Sequence, residues 1–243
     1  MELAMLGVGN GFSPGVYDNN ALIRHGEGYS MIDCGTTAWV SLDQMGISRK
    51  DIREIFLTHL HFDHSGGVES AALYSQYMWG EKYRLIVPAP IKERLWDCVL
   101  KGTIENKGDG LMSLEDYFQV ESPKEGELFS FCGVKARWIS TRHVDGKFSC
   151  GLVMDERFFY TSDMRCDRAL LERMREAGIE LIFHDCQLKN AQVHGDFEEL
   201  CTYPEHLREK ICLMHHGLSA GTERPDSRGM RFLFQQQWME ILR

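Results

Sequence analysis

The stretch LTHLHFDHSGG, residues 57–67, places three histidines and one aspartate within six positions. His59 and His61 alternate to one side at the end of a strand, so their imidazoles can converge on one ion. Asp63 and His64 follow in the turn and point to a second position, at the ~3.5 to 4 Å spacing of two-metal hydrolases. Ligation rich in imidazole and poor in carboxylate favours Zn²⁺, with Mn²⁺ or Fe as alternatives. The motif therefore predicts a centre that binds two divalent metal ions.

Three later segments each place a ligand-type residue at the end of an apolar run. His143 occurs in STRHVDG, Asp163 in FFYTSDM, and the pair His215 and His216 in ICLMHHG. Apolar runs bounded by polar residues are typical of buried strands, and the ends of neighbouring strands can meet at one edge of a sheet. We therefore expect these segments to gather beside the first motif, with either His215 or His216 as the ligand.

Strand-like and helix-like patterns alternate along the chain, which predicts an α/β fold. Gly66 and Gly67 are expected to let the backbone turn sharply into a helix without side chains crowding the ions. Residues 101–111, rich in glycine and charge, are expected to form a mobile loop. No linker or repeat divides the sequence, so we expect a single domain over residues 1–243. The expected strands are 3–9, 20–24, 29–32, 52–57, 134–139, 149–154, 157–160, 181–183 and 211–214, and the expected helices are 39–45 and 168–177.

Composition limits the class of protein and its partners. The net charge is −9 and no basic run stands out, so binding of a long nucleic acid by counterion release is disfavoured. The eight cysteines include no C-x-x-C pair, which fits reduced thiols in a cytosolic protein. No apolar run approaches the ~18 residues that span a bilayer. We therefore expect a soluble cytoplasmic protein without a membrane partner.

Several motifs together resemble one known superfamily. LTHLHFDHSGG, the opening LGVGNGFSPGVYDNNALI and the segment MIDCG resemble the ribonuclease Z branch of the metallo-β-lactamase fold superfamily. IFHDCQL resembles the H-E-A-T segment of that branch, with Asp185 in place of Glu, and VHGDFEEL resembles its H-S-T segment, with His194 at the histidine. The resemblance covers nearly the whole chain. It implies an αββα sandwich with the metals at one edge of the sheets.

The resemblance also implies a ligand set of two groups that share one carboxylate. The bridging position is Asp163, not the cysteine of many zinc β-lactamases, and His61 replaces the glutamate of flavodiiron relatives, which favours a hydrolytic zinc centre. His215 is preferred to His216 because LMH matches the L-T-H pattern of the branch. The implied ligands are His59, His61 and His143 for one ion, Asp63, His64 and His215 for the other, and Asp163 between them.

The substrate prediction depends on a missing segment. The tRNA-processing enzymes carry a long arm between the ligands that match His143 and Asp163, whereas here only twenty positions separate these residues. A compact chain without the arm resembles the phage-type anti-Pycsar phosphodiesterases, which hydrolyse cyclic mononucleotides used as defence signals. The resemblance thus implies a dinuclear-metal phosphodiesterase that converts 3′,5′-cyclic mononucleotides to nucleoside monophosphates, in the host cytoplasm if phage-encoded. It also implies a homodimer.

The catalytic residues expected for this reaction are Asp63, His194 and Asp185. His194 can act as the general acid that protonates the leaving alkoxide, since imidazole titrates near neutral pH. Asp185 could orient His194 through its other ring nitrogen and raise its pKa. Asp33, at the end of a strand, is expected either to accept a hydrogen bond from a ligand imidazole or to cap the strand.

The nucleobase is expected to stack on an aromatic or apolar side chain, because stacking tolerates any base. A lid could lie between the first and second ligand segments, although core packing is the default expectation for each aromatic residue there: Tyr74, Tyr77, Trp79, Tyr117 and Phe118.

Three alternative functions remain open. The chain could be a ribonuclease Z-like nuclease for tRNA or other RNA, or a carbon-centred metallohydrolase such as a lactonase or thioesterase. It could also be a non-catalytic metal-binding protein, in which His184 or His216 fills the open water position. The aromatic residues of 231–242 are expected to pack in the core or to form a dimer contact.

Overall fold

The computed structural model describes residues 1–26 and 28–242. Its strands are β1 (Glu2–Met5), β2 (Ala21–His25), β3 (Gly28–Ile32), β4 (Ile52–Phe56), β5 (Arg84–Ile86), β6 (Gln119–Glu121), β7 (Phe129–Phe131), β8 (Val134–Ser140), β9 (Cys150–Met154), β10 (Phe158–Tyr160), β11 (Leu181–Asp185), β12 (Ile211–Met214), β13 (Arg231–Phe232) and β14 (Trp238–Glu240). Its α-helices are α1 (Ala38–Gln44), α2 (Phe62–Ser65), α3 (Val68–Tyr74), α4 (Lys92–Arg94), α5 (Lys101–Ile104), α6 (Leu114–Tyr117), α7 (Arg168–Glu176), α8 (Phe197–Cys201) and α9 (Glu205–Arg208). A π-helical turn, Ser75–Trp79, follows α3, and another, Leu95–Leu100, joins α4 to α5.

The strands form two seven-stranded sheets, in the orders β14-β1-β2-β3-β4-β5-β6 and β13-β12-β11-β10-β9-β8-β7. In the first sheet, β3, β4, β5 and β6 run parallel to one another. In the second, β10, β11, β12 and β13 are parallel, and β8 points the same way because β9 is antiparallel to both β8 and β10. The carboxyl ends of β3, β4, β8, β10, β11 and β12 therefore carry the loops that hold the sequence motifs.

Three buried apolar clusters hold four layers together, which confirms the predicted αββα sandwich. The largest lies between the two sheets and includes Phe56, Trp138 and Phe183. A second packs the first sheet against α1 and α3, and a third packs the second sheet against α7, α8 and α9. Among residues 1–26 and 28–242, no helix combines the length and apolar character needed to cross a bilayer.

The structure overturns part of the prediction for residues 101–111 and shows which residues of 231–242 pack in the core. The loop prediction for 101–111 is wrong in its first part, because α5 forms there and Ile104 is buried beside Tyr117, whose hydroxyl donates to the Ile104 carbonyl. These apolar anchors order a segment whose composition is otherwise typical of loops. In the segment 231–242, Phe232 and Leu233 are buried in the core, and β13 and β14 complete the two sheets.

Removal of the Phe56 ring should cost much more stability than removal of an exposed ring. Phe56 is fully buried between the sheets, and its ring stacks on Phe129 with centroids 5.8 Å apart. We expect Phe56→Ala to lower the free energy of unfolding by about 3 to 5 kcal/mol, measured by urea denaturation. The matched control is Phe12→Ala, at a side chain that is 87% exposed, which should change this free energy by less than about 0.5 kcal/mol. Equal losses in the two variants would contradict the core described here.

Candidate metal centre

The histidine motif occupies the passage from β4 into α2. β4 ends at Phe56, and His61 is the residue that precedes the first turn of α2, with an extended backbone. The His61 carbonyl accepts hydrogen bonds from the backbone N–H groups of His64 and Ser65, which fixes the start of the helix. His59 and His61 thus precede the helix, while Asp63 and His64 project from it, so one short segment supplies four converging side chains.

The glycine pair after the motif is needed for a different reason from the one predicted. Gly66 has φ −64° and Gly67 has φ −84°, which any residue can adopt. A Cβ on Gly67 would lie 2.5 Å from the Gly35 carbonyl oxygen, and one on Gly66 would lie 2.6 Å from the Thr36 Cγ2 atom. Glycine therefore allows the chain after α2 to pack against the loop that follows β3.

The first group of ligand-type atoms consists of His59, His61, His143 and Asp163. The His61 Nδ1 atom lies 3.1 Å from His59 Nε2 and 3.3 Å from His143 Nε2. The Asp163 Oδ2 atom lies 3.8 Å from His59 Nε2 and 3.6 Å from His143 Nε2. Ligand atoms around a tetrahedral Zn²⁺, each about 2.0–2.1 Å from the ion, would be about 3.3 Å apart. The group therefore has the size of a zinc site.

The second group consists of Asp63, His64 and His215, and it shares Asp163 with the first. The Asp163 Oδ1 atom lies 3.3 Å from His64 Nε2 and 3.4 Å from His215 Nε2. The Asp63 Oδ2 atom lies 3.7 and 3.8 Å from the same two nitrogens. His64 Nε2, His215 Nε2 and Asp163 Oδ1 are buried without a hydrogen-bond partner. Buried polar atoms rarely lack partners, so these unpaired atoms fit a bound cation between them.

Electrostatics in the two groups also suit cations. Burial lowers the pKa of His59, His61 and His143, which favours the neutral imidazole that a metal requires. Burial would raise the pKa of Asp163, but the neighbouring His215 and His64 outweigh it and hold that pKa well below its usual value. Burial likewise opposes the charge on His215, yet Asp163 and Asp185 raise its pKa to about 9. The carboxylates therefore attract positive charge, either protons or metal ions.

Buried polar groups behind the motif orient its imidazoles. The Asp33 Oδ2 atom lies 2.7 Å from His64 Nδ1, and Asp33 Oδ1 accepts from the backbone N–H of Thr58 at 2.8 Å. The Thr58 hydroxyl lies 3.0 Å from His59 Nδ1 and 2.7 Å from the Ser162 hydroxyl. Asp33 thus occupies the acceptor position that the sequence suggested. The sequence does not indicate that Thr58 and Ser162 support the histidines, because nothing in their local pattern distinguishes them from ordinary strand-end residues.

His194 and Asp185 form a pair beside the first group. The His194 Nδ1 atom lies 2.7 Å from Asp185 Oδ2 and 3.7 Å from Asp163 Oδ2. Asp185 is fully buried and also accepts from the Met164 backbone N–H at 3.1 Å. Burial lowers the pKa of His194, but the charge and hydrogen bond of Asp185 outweigh it, so the pKa is raised overall. The structure therefore brings an imidazole with a raised pKa to the edge of the cluster.

Two further histidines lie nearby, and each bonds to backbone groups outside the two ligand groups. His216 Nε2 donates to the Leu233 carbonyl at 2.9 Å, and its Nδ1 accepts from the Leu218 backbone N–H at 3.0 Å. His184 Nδ1 donates to the backbone carbonyl of Asp185. Within the described part of the chain, neither histidine belongs to a group suited to a metal ion. His215 is thus the member of the HH pair that the fold brings to the cluster.

A cavity of about 280 Å³ opens onto the cluster. Its walls include His61, Asp63, His143, Asp163, His194 and His215, together with Phe12, Phe62, Val144 and Val193.

None of the five aromatic candidates lines this cavity, and core packing, the default expectation for each, describes four of them. Tyr117 and Phe118 are buried in the cluster between the first sheet and its helices, and Tyr74 and Trp79 pack against the same cluster. Tyr77 is half-exposed and lines a different depression. Tyr74, Tyr77 and Trp79 belong to α3 and the π-helical turn after it, and Tyr117 and Phe118 lie at the end of α6.

Comparison with known proteins places the chain in a family. Residues 1–239 match the family described as anti-Pycsar protein Apyc1. The anti-Pycsar protein Apyc1 of Paenibacillus xerothermodurans is 38% identical over 219 residues, which cover 89% of this chain and 88% of that protein. The protein of the same name from Bacillus phage vB_BsuM-Goe3 is 34% identical over 260 residues, covering 99% of this chain and 98% of the phage protein.

Solved structures agree on the fold. The metallo-β-lactamase fold protein YhfI from Bacillus subtilis superposes with a TM-score of 0.72 at 10% identity, with 98% of both chains covered. The short form of human tRNase Z superposes with a TM-score of 0.69 at 16% identity, with 100% of both chains covered. With the two converging groups of histidine and aspartate, these matches establish that the chain belongs to the anti-Pycsar Apyc1 family and has the metallo-β-lactamase fold.

Proposed function

We propose that this protein is a metal-dependent phosphodiesterase that hydrolyses 3′,5′-cyclic mononucleotides to nucleoside monophosphates and so depletes a cyclic-nucleotide defence signal. The observation that carries the proposal is the pair of ligand groups sharing Asp163, with His194 beside them. Family membership and this cluster support a metal-dependent hydrolase. The anti-Pycsar name shared by the bacterial and phage relatives supports the narrower substrate class.

In this proposal, the two groups hold two divalent cations, Zn²⁺ in preference to Mn²⁺. His59, His61 and His143 would hold one ion, Asp63, His64 and His215 would hold the other, and Asp163 would contribute to both. Such a pair of ions, when bound, lowers the pKa of water and neutralises charge on the phosphate oxygens.

The chain itself supplies the proton and the alignment. Water adds its oxygen to phosphorus and releases one proton to the solvent, and the bond from phosphorus to one ribose oxygen breaks. His194 gives its proton to that oxygen, so the alkoxide leaves as a hydroxyl group. Asp185 holds His194 through Nδ1, which leaves Nε2 as the donor, and its negative charge stabilises the protonated ring. Asp63 accepts a hydrogen bond from the Gly11 backbone N–H at 3.1 Å, which fixes the carboxylate that completes the second group.

A substrate panel tests the proposal directly. The purified protein, loaded with Zn²⁺ or Mn²⁺, is incubated with 3′,5′-cyclic mononucleotides, a tRNA with a 3′ extension and a lactone, and products are separated by chromatography. Turnover of cyclic nucleotides to monophosphates, with no cleavage of tRNA or lactone, is the expected result. Cleavage of tRNA alone would instead indicate a ribonuclease Z-like nuclease, and lactone opening alone would indicate a carbon-centred hydrolase.

Loss of a proposed ligand should remove metal and activity together. Asp163→Ala deprives both groups of their shared carboxylate, so we expect the bound metal to fall from about two ions per chain and hydrolysis to be abolished. Metal content after dialysis is measured by mass spectrometry alongside turnover. The control is His206→Ala, which removes a half-exposed histidine that contacts Glu172 outside the cluster and should leave both readouts unchanged. Full activity in folded Asp163→Ala protein would refute the two-metal proposal.

The role of His194 can be separated from that of the metal ligands. His194→Ala should slow hydrolysis of a cyclic nucleotide by about 10²- to 10⁴-fold, because the leaving alkoxide needs a proton. Hydrolysis of bis(p-nitrophenyl) phosphate should be slowed far less, because a nitrophenolate leaves without one. Rates with both substrates and the metal content are measured on the same preparation. Equal slowing with the two substrates would remove His194 from the acid role.

A further inference from the structure

Two phenylalanines at the mouth of the cavity have no role in the chemistry proposed so far. Phe12 is 87% exposed and Phe62 is 49% exposed, yet both line the cavity in front of the ligand cluster. Their ring centroids are 6.1 Å apart with an interplanar angle of 70°. Exposure of this much aromatic surface to water is unfavourable, so a ligand that covers it would gain free energy.

The loop that carries Phe12 is held in place by short polar contacts. The Gly11 backbone N–H donates to Asp63 Oδ2, and the Phe12 backbone N–H donates to Asn10 Oδ1 at 3.0 Å. The Ser13 hydroxyl donates to the same Asn10 oxygen at 3.1 Å. The loop is thus tied to a side chain of the metal-suited cluster itself.

Gly11 also determines where the second ring lies. A Cβ at this position would lie 2.3 Å from Phe62 Cζ, so a larger residue would push the Phe62 ring away from the loop backbone. Phe62 in turn follows His61 directly in the chain and precedes Asp63. Both rings are therefore positioned relative to the ligand atoms by neighbouring backbone.

We propose that Phe12 and Phe62 form the aromatic platform on which the nucleobase stacks while the phosphate lies at the ligand cluster. This inference rests on the proposed function and names the residues that hold the part of the substrate away from the reacting bond. Stacking on an aromatic face suits every base, so the platform predicts tolerance of different bases.

The lining of the cavity favours a single nucleotide over a polymer. Among the described residues, no lysine or arginine lines this cavity, so the surroundings of the two rings offer no cation to a flanking phosphate, whereas Arg94 and Lys147 line a separate pocket that shares His61. The lining also includes Val144 and Val193, which are apolar. A volume of about 280 Å³ is at the lower end of small-molecule pockets, which fits one base and its sugar phosphate.

The test compares binding with chemistry in Phe12 variants of the metal-loaded protein. We expect Phe12→Ala to raise KM for 3′,5′-cyclic AMP and cyclic UMP on the order of tenfold, with kcat little changed, because stacking is lost while the reacting groups stay. Phe12→Trp, which keeps an aromatic ring at this position, should return KM to the value of the unaltered protein. A base-free substrate, the 3,5-cyclic phosphate of methyl riboside, should be hydrolysed with the same KM by Phe12→Ala and the unaltered protein. The matched control is Tyr77→Ala, which removes an exposed ring that lies outside the cavity and should leave KM unchanged.

The possible failures are distinguishable. If the unaltered protein hydrolyses no cyclic nucleotide, the proposed function fails. If it does hydrolyse them, but Phe12→Ala leaves KM unchanged or changes it equally for the base-free substrate, the platform is refuted. Sedimentation of the same variants adds a second readout. A shift of Phe12→Ala from dimer to monomer, without a base-dependent change in KM, would show that this ring contacts a second copy of the chain instead of the base.

Discussion

The buried carboxylate of Asp163 is the constraint around which the centre is arranged. Its side chain is almost completely buried, and its two oxygens lie within 3.3 to 3.8 Å of nitrogens on His59, His64, His143 and His215. A buried charge without compensation costs several kcal/mol, so positive charge must be present beside it. Protons on His64 and His215 can supply that charge, as the raised pKa values of both indicate. Metal ions would have to displace those protons, so metal binding is expected to release protons.

The sandwich meets this constraint by ending several strands at one edge. Asp33, Ser162 and His215, which follow β3, β10 and β12, all have a left-handed backbone, with φ of 65°, 54° and 62°. Residues other than glycine rarely adopt this conformation, which costs of order 1–3 kcal/mol each. Hydrogen bonds hold these turns: Asp33 accepts from Thr58, and the His215 backbone N–H donates to Asn19 Oδ1 at 3.0 Å. The surrounding sheets thus stabilise local conformations that aim side chains into the cluster.

Much of this arrangement could be predicted from the sequence, because the information is local. The ligand motif is nearly contiguous, and His143, Asp163 and His215 each follow an apolar run that forms a strand. The layer on which a helix packs is not encoded locally, so the sequence could not decide whether Tyr117 and Phe118 face the substrate or pack in the core, where the structure places them. Phe12 was missed for a related reason, since only a long-range hydrogen bond from its neighbour Gly11 brings it to the cavity.

The contact between Gly11 and Asp63 links the two parts of the proposed substrate site. Asp63 belongs to the second ligand group, and the same Oδ2 atom that faces His64 and His215 accepts from the Gly11 N–H. A charge-assisted hydrogen bond of this kind is stronger than one between neutral groups. The loop bearing Phe12 is therefore anchored to the carboxylate that would hold a metal ion. In the proposed enzyme, the distance between the phosphate position and the base platform is then set by one carboxylate and one peptide group, which suits a substrate of fixed length such as a mononucleotide.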